Sequence, residues 1–388
     1  LIGAPPAPPA PSGVYLHFPF CAIRCTYCDF ATVAGQDAKI DRYLDLLIRE
    51  IESFQQDVPS EVDSIFLGGG TPSRMRPEQV ARLLEAVSRR FDLKPGCETT
   101  IECNPESLDG DKVRGYHQAG VNRLSLGVQS LDDRILKSVG RAHDAAAALE
   151  AAAAARRAGI PQLSVDLIAG LPGERLARWD RTLEQVAGLE PDHVSVYLLE
   201  TDKDTPLARS IRHGRTEVDD DDSLADAYEK TVATLEGAGY ELYEISNFAR
   251  EGRVSRHNVK YWTDVPYAGF GLGAHAYAAG ARRANRRDLD GYMDDLDQGI
   301  DPLDWADAWD PGRRLEEALV LGLRLREGVD LGALGARYDV DLSRRYAGAW
   351  ERALAAGILE AAGDRVRLSA EGRLRSNALF SELIGSEE

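Results

Sequence analysis

The chain has 388 residues, 44% hydrophobic and 28% charged, a globular mixture with apolar material for a large core and a length worth two or three domains. Its 46 Lys and Arg against 64 Asp and Glu leave a net charge of −18, which argues against a protein held on phosphate backbones by net charge. No apolar run reaches the roughly 18 residues that a bilayer crossing takes. Five cysteines in so long a chain are too sparse, and odd in number, for a secreted disulfide framework, so a reducing cytoplasm is the better home.

Leu1–Ser12 is rich in Pro and Ala and has no basic region, which reads as a disordered leader and not a secretory signal. A first residue other than Met reads as a start that is missing or processed. From Gly13 onward extended and helical segments alternate. Gly13–Phe18 is a strand, and Asp37–Phe54 a helix with Ile40, Tyr43, Leu44, Leu47, Ile48 and Ile51 on one face. Val62–Leu67 is a strand running into Gly68-Gly69-Gly70, and Pro77–Phe91 is helical with Pro77 suited to the first turn. Thr99–Cys103, Arg123–Val128, Gln162–Ile168 and His193–Leu198 are further strands. Helices at Asp109–Ala119, Ala145–Ala158 and Arg178–Leu189 lie among them. Six strands separated by helices imply parallel βαβ units closed or nearly closed into a barrel, with an open doubly wound sheet as the alternative.

The acidic run Asp219–Asp222 reads as the solvated start of a helix reaching about Gly239. Gly269–Gly273 and the basic stretch Arg282–Arg287 fall in a loop-rich region. Beyond Pro311, helices at Arg313–Arg326, Leu331–Tyr338 and Asp341–Ala356 precede a hairpin, Gly357–Glu360 and Arg365–Leu368, and a terminal helix. That pattern suggests a winged-helix-like tail of small-domain size. The expected division is a leader over 1–12, a barrel over 13–240, an extension over 241–310 and the tail over 311–388.

Cys21-x3-Cys25-x2-Cys28 begins where the first strand ends, after Pro19 and Phe20. Spacing alone leaves three readings. Positions i, i+4 and i+7 can share a buried helix face, Cys being a good core residue, although Pro19 favours a loop. Zinc wants four ligands, or three and a water, and only Asp29 and His17 are at hand. An iron–sulfur cluster takes thiolates on iron, and three local cysteines leave one iron of a 4Fe–4S cubane without a protein ligand. The glycines of Gly68-Gly69-Gly70-Thr71-Pro72 allow backbone to approach a ligand closely. Glu102, Gln129 and Asp166 stand at or just past the ends of later strands, on the same side as the cysteines. A helix cap or solvent exposure is the alternative reading of each.

The triplet, with Tyr27 before its last cysteine, resembles the signature of the radical SAM superfamily. The stretches VYLHFPFC, FLGGGTPS, IECNPES, NRLSLGVQS and VDLIAGLPG, with the tail, resemble the oxygen-independent coproporphyrinogen III oxidase family and its heme-chaperone branch, HemW, from about Gly13 to the end. The resemblance implies an α/β fold: a partial (β/α)6 radical SAM barrel with a mainly helical, winged-helix-like C-terminal domain. It implies a 4Fe–4S cluster on Cys21, Cys25 and Cys28 that chelates and reductively cleaves S-adenosylmethionine. It assigns S-adenosylmethionine contacts to Tyr15, Gly69, Gly70, Thr71, Glu102, Gln129, Arg141 and Asp166. Cys97 and Cys103 fall outside the motif and read as strand thiols.

Two features choose the branch. The dehydrogenase motif carries another cysteine two residues after the triplet, and here that position is Phe30, so dehydrogenase activity is expected to be absent. Arg256–Trp262, RHNVKYW, resembles the HNxxYW heme-binding motif of the chaperones, which assigns heme to His257, Asn258, Tyr261 and Trp262. Imidazole is a common iron ligand and the aromatic rings suit a porphyrin face, with Arg253, Arg256 and Lys260 available for propionates. His275, in GLGAHAY, reads more safely as a loop histidine with structural hydrogen bonds. The implied partners are heme, recipient heme apoproteins and an electron donor, with no nucleic acid. Peripheral contact with a membrane stays open.

Overall fold

Strands form where apolar residues alternate with polar ones or run unbroken, and the helices between them return the chain to the same edge. A computed structural model describes residues 10–55, 60–278, 281–307 and 311–384. The strands are β1 (Gly13–Phe18), a short pair β2 (Phe20–Cys21) and β3 (Val33–Ala34), β4 (Glu61–Gly69), β5 (Asp92–Cys103), β6 (Arg123–Gln129), β7 (Gln162–Ala169), β8 (His193–Leu198), β9 (Glu241–Glu244), β10 (Asn247–Ala249), β11 (Tyr267–Phe270), β12 (His275–Ala278), β13 (Ala281–Asn285) and β14 (Leu303–Asp307). Twelve of them build one sheet in the order β14-β13-β12-β11-β1-β4-β5-β6-β7-β8-β10-β9. All six expected strands are present and pair in parallel from β1 to β8. The sheet does not close into a ring, since β14 and β9 are its two edges.

One sheet face carries Ile65, Leu67, Ile101, Leu124, Leu126, Leu163, Val165, Val194 and Val196, all buried against the surrounding helices. The helix Ala145–Arg157 lies close on the sheet because it buries only alanines. The other face is the barrel lumen, and it is polar. Register sets Ser64 opposite Glu98, Glu102 opposite Ser125, and Asp166 opposite Gly127 and Ser195.

A seven-residue helix, Arg256–Trp262, plugs the lower end of this lumen. Its first turn is fixed by Glu98, whose carboxylate accepts the amides of Arg256 at 3.0 Å and His257 at 3.1 Å. Lys260 donates to Asp63 at 2.6 Å. Immediately after the helix, Asp264 adopts φ 53° and accepts from Tyr338 at 2.9 Å and Arg337 at 2.8 Å. The tail is thereby tied to the plug. That tail has its own core around Leu319, Leu323, Trp350 and Leu383, and a small sheet in which β17 (Arg365–Leu368) lies between β15 (Val329–Asp330) and β16 (Leu359–Ala362).

Two expectations need correction. The loop-rich region after Tyr267 contains β11, β12 and β13, strands too short and too broken by glycine to show alternation. The helix expected over Asp341–Ala356 breaks at Tyr346, φ −110° and ψ 23°, into Leu342–Arg345 and Ala347–Ala355. The leader falls mostly outside the described residues, but Ser12 is already fixed, donating to the Pro266 carbonyl at 2.9 Å and accepting from the Asp63 amide at 3.0 Å. Among the described residues, no helix is long and apolar enough to cross a membrane.

Glu98→Ala removes both acceptors from the start of the plug helix. Hydrogen bonds to a charged group contribute about 1.5–3 kcal/mol, so unfolding free energy should drop by about 2 kcal/mol. A lowered denaturant midpoint at unchanged slope is the expected readout, and an unshifted midpoint would remove Glu98 from that role.

Candidate functional site

The cysteine loop leaves β1 at Pro19 and is anchored on several sides. Phe20–Cys21 pairs with Val33–Ala34 at its two ends. The Gly70 amide donates to the Phe18 carbonyl at 2.7 Å and the Thr71 amide to that of Phe20 at 3.1 Å. Across the mouth, the Thr26 amide donates to the Val139 carbonyl at 3.1 Å, and Arg141 Nη1 lies 3.7 Å from Cys25 Sγ. Cys21, Cys25 and Cys28 are all free thiols. Burial pushes the Cys21 thiol up and that of Cys28 to about 11, so a metal drawn to them must displace protons.

The donor set fits a cluster. Three thiols on one anchored loop match a cubane's sulfur-ligand chemistry and leave one iron corner to another molecule. Among the described residues, no three His, Cys, Asp or Glu side chains are grouped as ligands of a single ion.

Beside the loop, glycines clear a recess. Gly69 has φ +115°, and a Cβ there would stand 2.6 Å from the His17 ring; one on Gly70 would stand 2.7 Å from the Pro19 carbonyl group. With no side chain in the way, the Gly69 amide donates to Glu102 Oε2 at 2.9 Å. A Cβ on Gly68 would touch both Tyr15 and Glu102, and one on Gly127 would touch Gln129, Asn104 and Arg141. These glycines bring together residues from four strand ends. Arg141 Nη2 donates to Gly127 O at 2.6 Å and Asn104 Oδ1 at 2.9 Å. Gln129, at φ 66°, turns the chain out of β6. Asp166 accepts from Ser125 at 2.9 Å, and Thr71 is buried against the Cys21 thiol. The recess combines an amide, carboxyls and a guanidinium, the groups that an amino acid joined to a ribose can engage. Asn104 and Ser125 complete it and were not singled out from the sequence, where IECNPES, with Asn104 two residues past Glu102, held the one available signal; His17, weighed there only as a zinc ligand, also lines it.

The HNxxYW quartet lies elsewhere. Ser64, its neighbour, is five residues down β4 from Gly69, about 16 Å of strand at ~3.3 Å per residue. His257 is fully buried. Its Nδ1 pairs with Ser64 Oγ and its Nε2 with Tyr261 OH, both at 3.0 Å. Phe66, Tyr15, Tyr261 and Tyr267 surround the ring. Burial, then Lys260 and Arg123, hold its pKa down to about 3. The imidazole is neutral, as expected of a ligand, and both ring nitrogens are engaged by hydroxyl partners, one accepting and one donating. In this conformation His257 is a pillar of the plug, held between Ser64 and Tyr261. Tyr261 packs on Tyr267 at 4.8 Å, Trp262 lies under the Arg324 guanidinium at 4.5 Å, and the amide of Asn258 is capped by Ser255.

Residues 15–186 match the family model described as the Radical SAM superfamily, and residues 310–375 match the HemN C-terminal domain. A protein of Mycobacterium tuberculosis named heme chaperone HemW is 37% identical over 390 residues, covering 99% of this chain and 98% of its own. The Bacillus subtilis protein of that name is 32% identical, covering 96% and 98%. The mouse mitochondrial radical S-adenosyl methionine domain-containing protein 1 is 34% identical over 89% of this chain and 78% of its own. The solved coproporphyrinogen III oxidase HemN of Escherichia coli superposes with a TM-score of 0.85 at 22% identity, covering 97% of this chain and 91% of its own, which is a likeness of fold.

Glu102 gives the recess a pH signature. Burial raises its carboxyl from the usual 4.5 to about 8. Between those values the folded apoprotein holds a proton that the unfolded chain has lost, so stability falls as pH rises through the window. Glu102→Gln should flatten part of that fall, Asp166 being raised in the same sense. Denaturant midpoints of both proteins across the window test it; an unchanged slope would mean Glu102 is not the source.

Proposed function

This chain belongs to the HemW family of radical SAM proteins, and from that premise we propose that it is a heme chaperone, binding heme and handing it to heme-requiring apoproteins in the cytoplasm. The observation that carries the cofactor half of this reading is the meeting of three free thiols with a glycine-cleared recess at one barrel mouth. Near-full-length likeness to proteins named heme chaperone HemW carries the heme half.

Cys21, Cys25 and Cys28 would hold a 4Fe–4S cluster, which when bound supplies one-electron reduction of a sulfonium. The chain's own contribution is binding and exclusion. The Gly69 amide, Glu102 and Arg141 are suited to the amino and carboxylate ends of S-adenosylmethionine, and Gln129 and Asp166 to its ribose side. Tyr15 closes the recess from below, its hydroxyl hydrogen-bonded to His17 at 2.9 Å. Arg141 Nη1, 3.7 Å from Cys25 Sγ, sets a positive charge beside that sulfur. The electron comes from an external reductant.

Anaerobic reconstitution followed by heme titration, with and without S-adenosylmethionine, tests both halves together. Iron and sulfide near four each per chain are expected, falling in a Cys21→Ala, Cys25→Ala, Cys28→Ala triple variant. A Soret band should grow with added heme; no band at any heme level would end the chaperone reading. Because His257 is saturated by Ser64 and Tyr261, His257→Gln should leave the Soret maximum in place while lowering thermal stability. A shifted maximum would return His257 to the ligand set. With Phe30 where the dehydrogenase motif has cysteine, anaerobic turnover of coproporphyrinogen III is expected to be absent, and robust turnover would reverse the choice of branch.

A further inference from the structure

We infer that heme is received on the outer rim of the barrel mouth, with His275 as iron ligand and Trp305 against the porphyrin; this rests on the heme-chaperone reading above. The residues come together through strand register. His275 opens β12 opposite Ala284 of β13, and Ala284 lies opposite Trp305 of β14. The alanine between them is too small to keep the two rings apart. They meet over it edge to face, with centroids 5.6 Å apart.

Unlike His257, His275 is exposed, and among the described residues neither of its ring nitrogens has a hydrogen-bond partner. The structural hydrogen bonds expected for it are absent there, which corrects the sequence reading. Desolvation, then Arg287 and Arg282, lower its pKa, so the imidazole keeps a lone pair for iron at neutral pH. Trp305 is 39% exposed, offering a flat apolar surface beside it.

The rim continues to the cysteine loop. Gly273, two residues before His275, is in such close approach to Ala31 that a Cβ on it would stand 2.7 Å from that residue's Cβ. Arg287 spans the same gap, its guanidinium donating to the Asp29 carbonyl at 2.9 Å while remaining exposed. Between Asp29 and Ala31 stands Phe30, 56% exposed. An open imidazole, two exposed aromatic rings and a surface guanidinium therefore share one rim. They match a flat apolar macrocycle that carries a central metal and peripheral carboxylates. The plug end supplies no free imidazole by comparison.

The test is heme titration of the full chain as wild type, His275→Ala, His275→Met and Trp305→Ala. His275→Ala should move the Soret maximum and weaken heme affinity by at least the ~10-fold that losing even an outer-shell partner costs a metal site. Added imidazole should restore the wild-type spectrum. His275→Met should give the spectrum of thioether ligation, and Trp305→Ala should weaken affinity without moving the maximum. All four proteins should melt alike, since both side chains are exposed. A wild-type maximum and affinity retained in His275→Ala would overturn the assignment and leave heme binding standing. No Soret band in the wild type would overturn the chaperone reading, and this site with it.

Discussion

Everything at the mouth depends on backbone passing within hydrogen-bond range of the cysteine loop. The Gly70 and Thr71 amides meet the Phe18 and Phe20 carbonyls, and on the far side Thr26 meets Val139. Neither approach to Gly70 nor the turn at Gly69 tolerates a side chain. Three thiols on a free loop would spend their binding energy on ordering that loop. Here the order is supplied by strand ends that the hydrophobic core already fixes, and the metal meets donors whose backbone is in place.

The lumen divides into two functions by depth. Its upper residues, Glu102, Asp166, Arg141 and Gln129, line a cleared recess, with Glu102 on the Gly69 amide, Asp166 on Ser125 and Arg141 on Gly127 and Asn104. Its lower residues, Ser64, Glu98 and His257, are saturated by one another. A polar lumen of this kind needs a floor, because buried polar groups without partners cost free energy. The helix Arg256–Trp262 provides one. Ionisable groups in the lower half are held by the plug; those in the upper half line the recess beside the cysteine loop.

Much of this was legible in sequence. Long buried strands such as Gln162–Ala169 and the helix Leu331–Tyr338 announced themselves because their local pattern and their environment agree. The cysteine spacing, the glycine run and the carboxyls at strand ends also mark the mouth, since each is a local feature of one strand terminus. His257 was another matter. Motif and chemistry both point to iron, while its burial and the partners on its nitrogens were not legible, since Ser64 lies 193 positions away. His275 was misjudged for the converse reason, since only the pairing of three short strands reveals that Trp305 stands beside it, with no ring hydrogen bond among the described residues.

The tie between Asp264 and the pair Arg337 and Tyr338 makes the C-terminal region a strut as well as a neighbour. Force applied to that strut is delivered one residue beyond Thr263, at the end of the helix that seals the lumen. A protein that recognised the C-terminal region would have a lever on the bottom of the barrel without touching its mouth. Excising the region would likewise leave an aspartate at positive φ with neither of the side chains that hold it there.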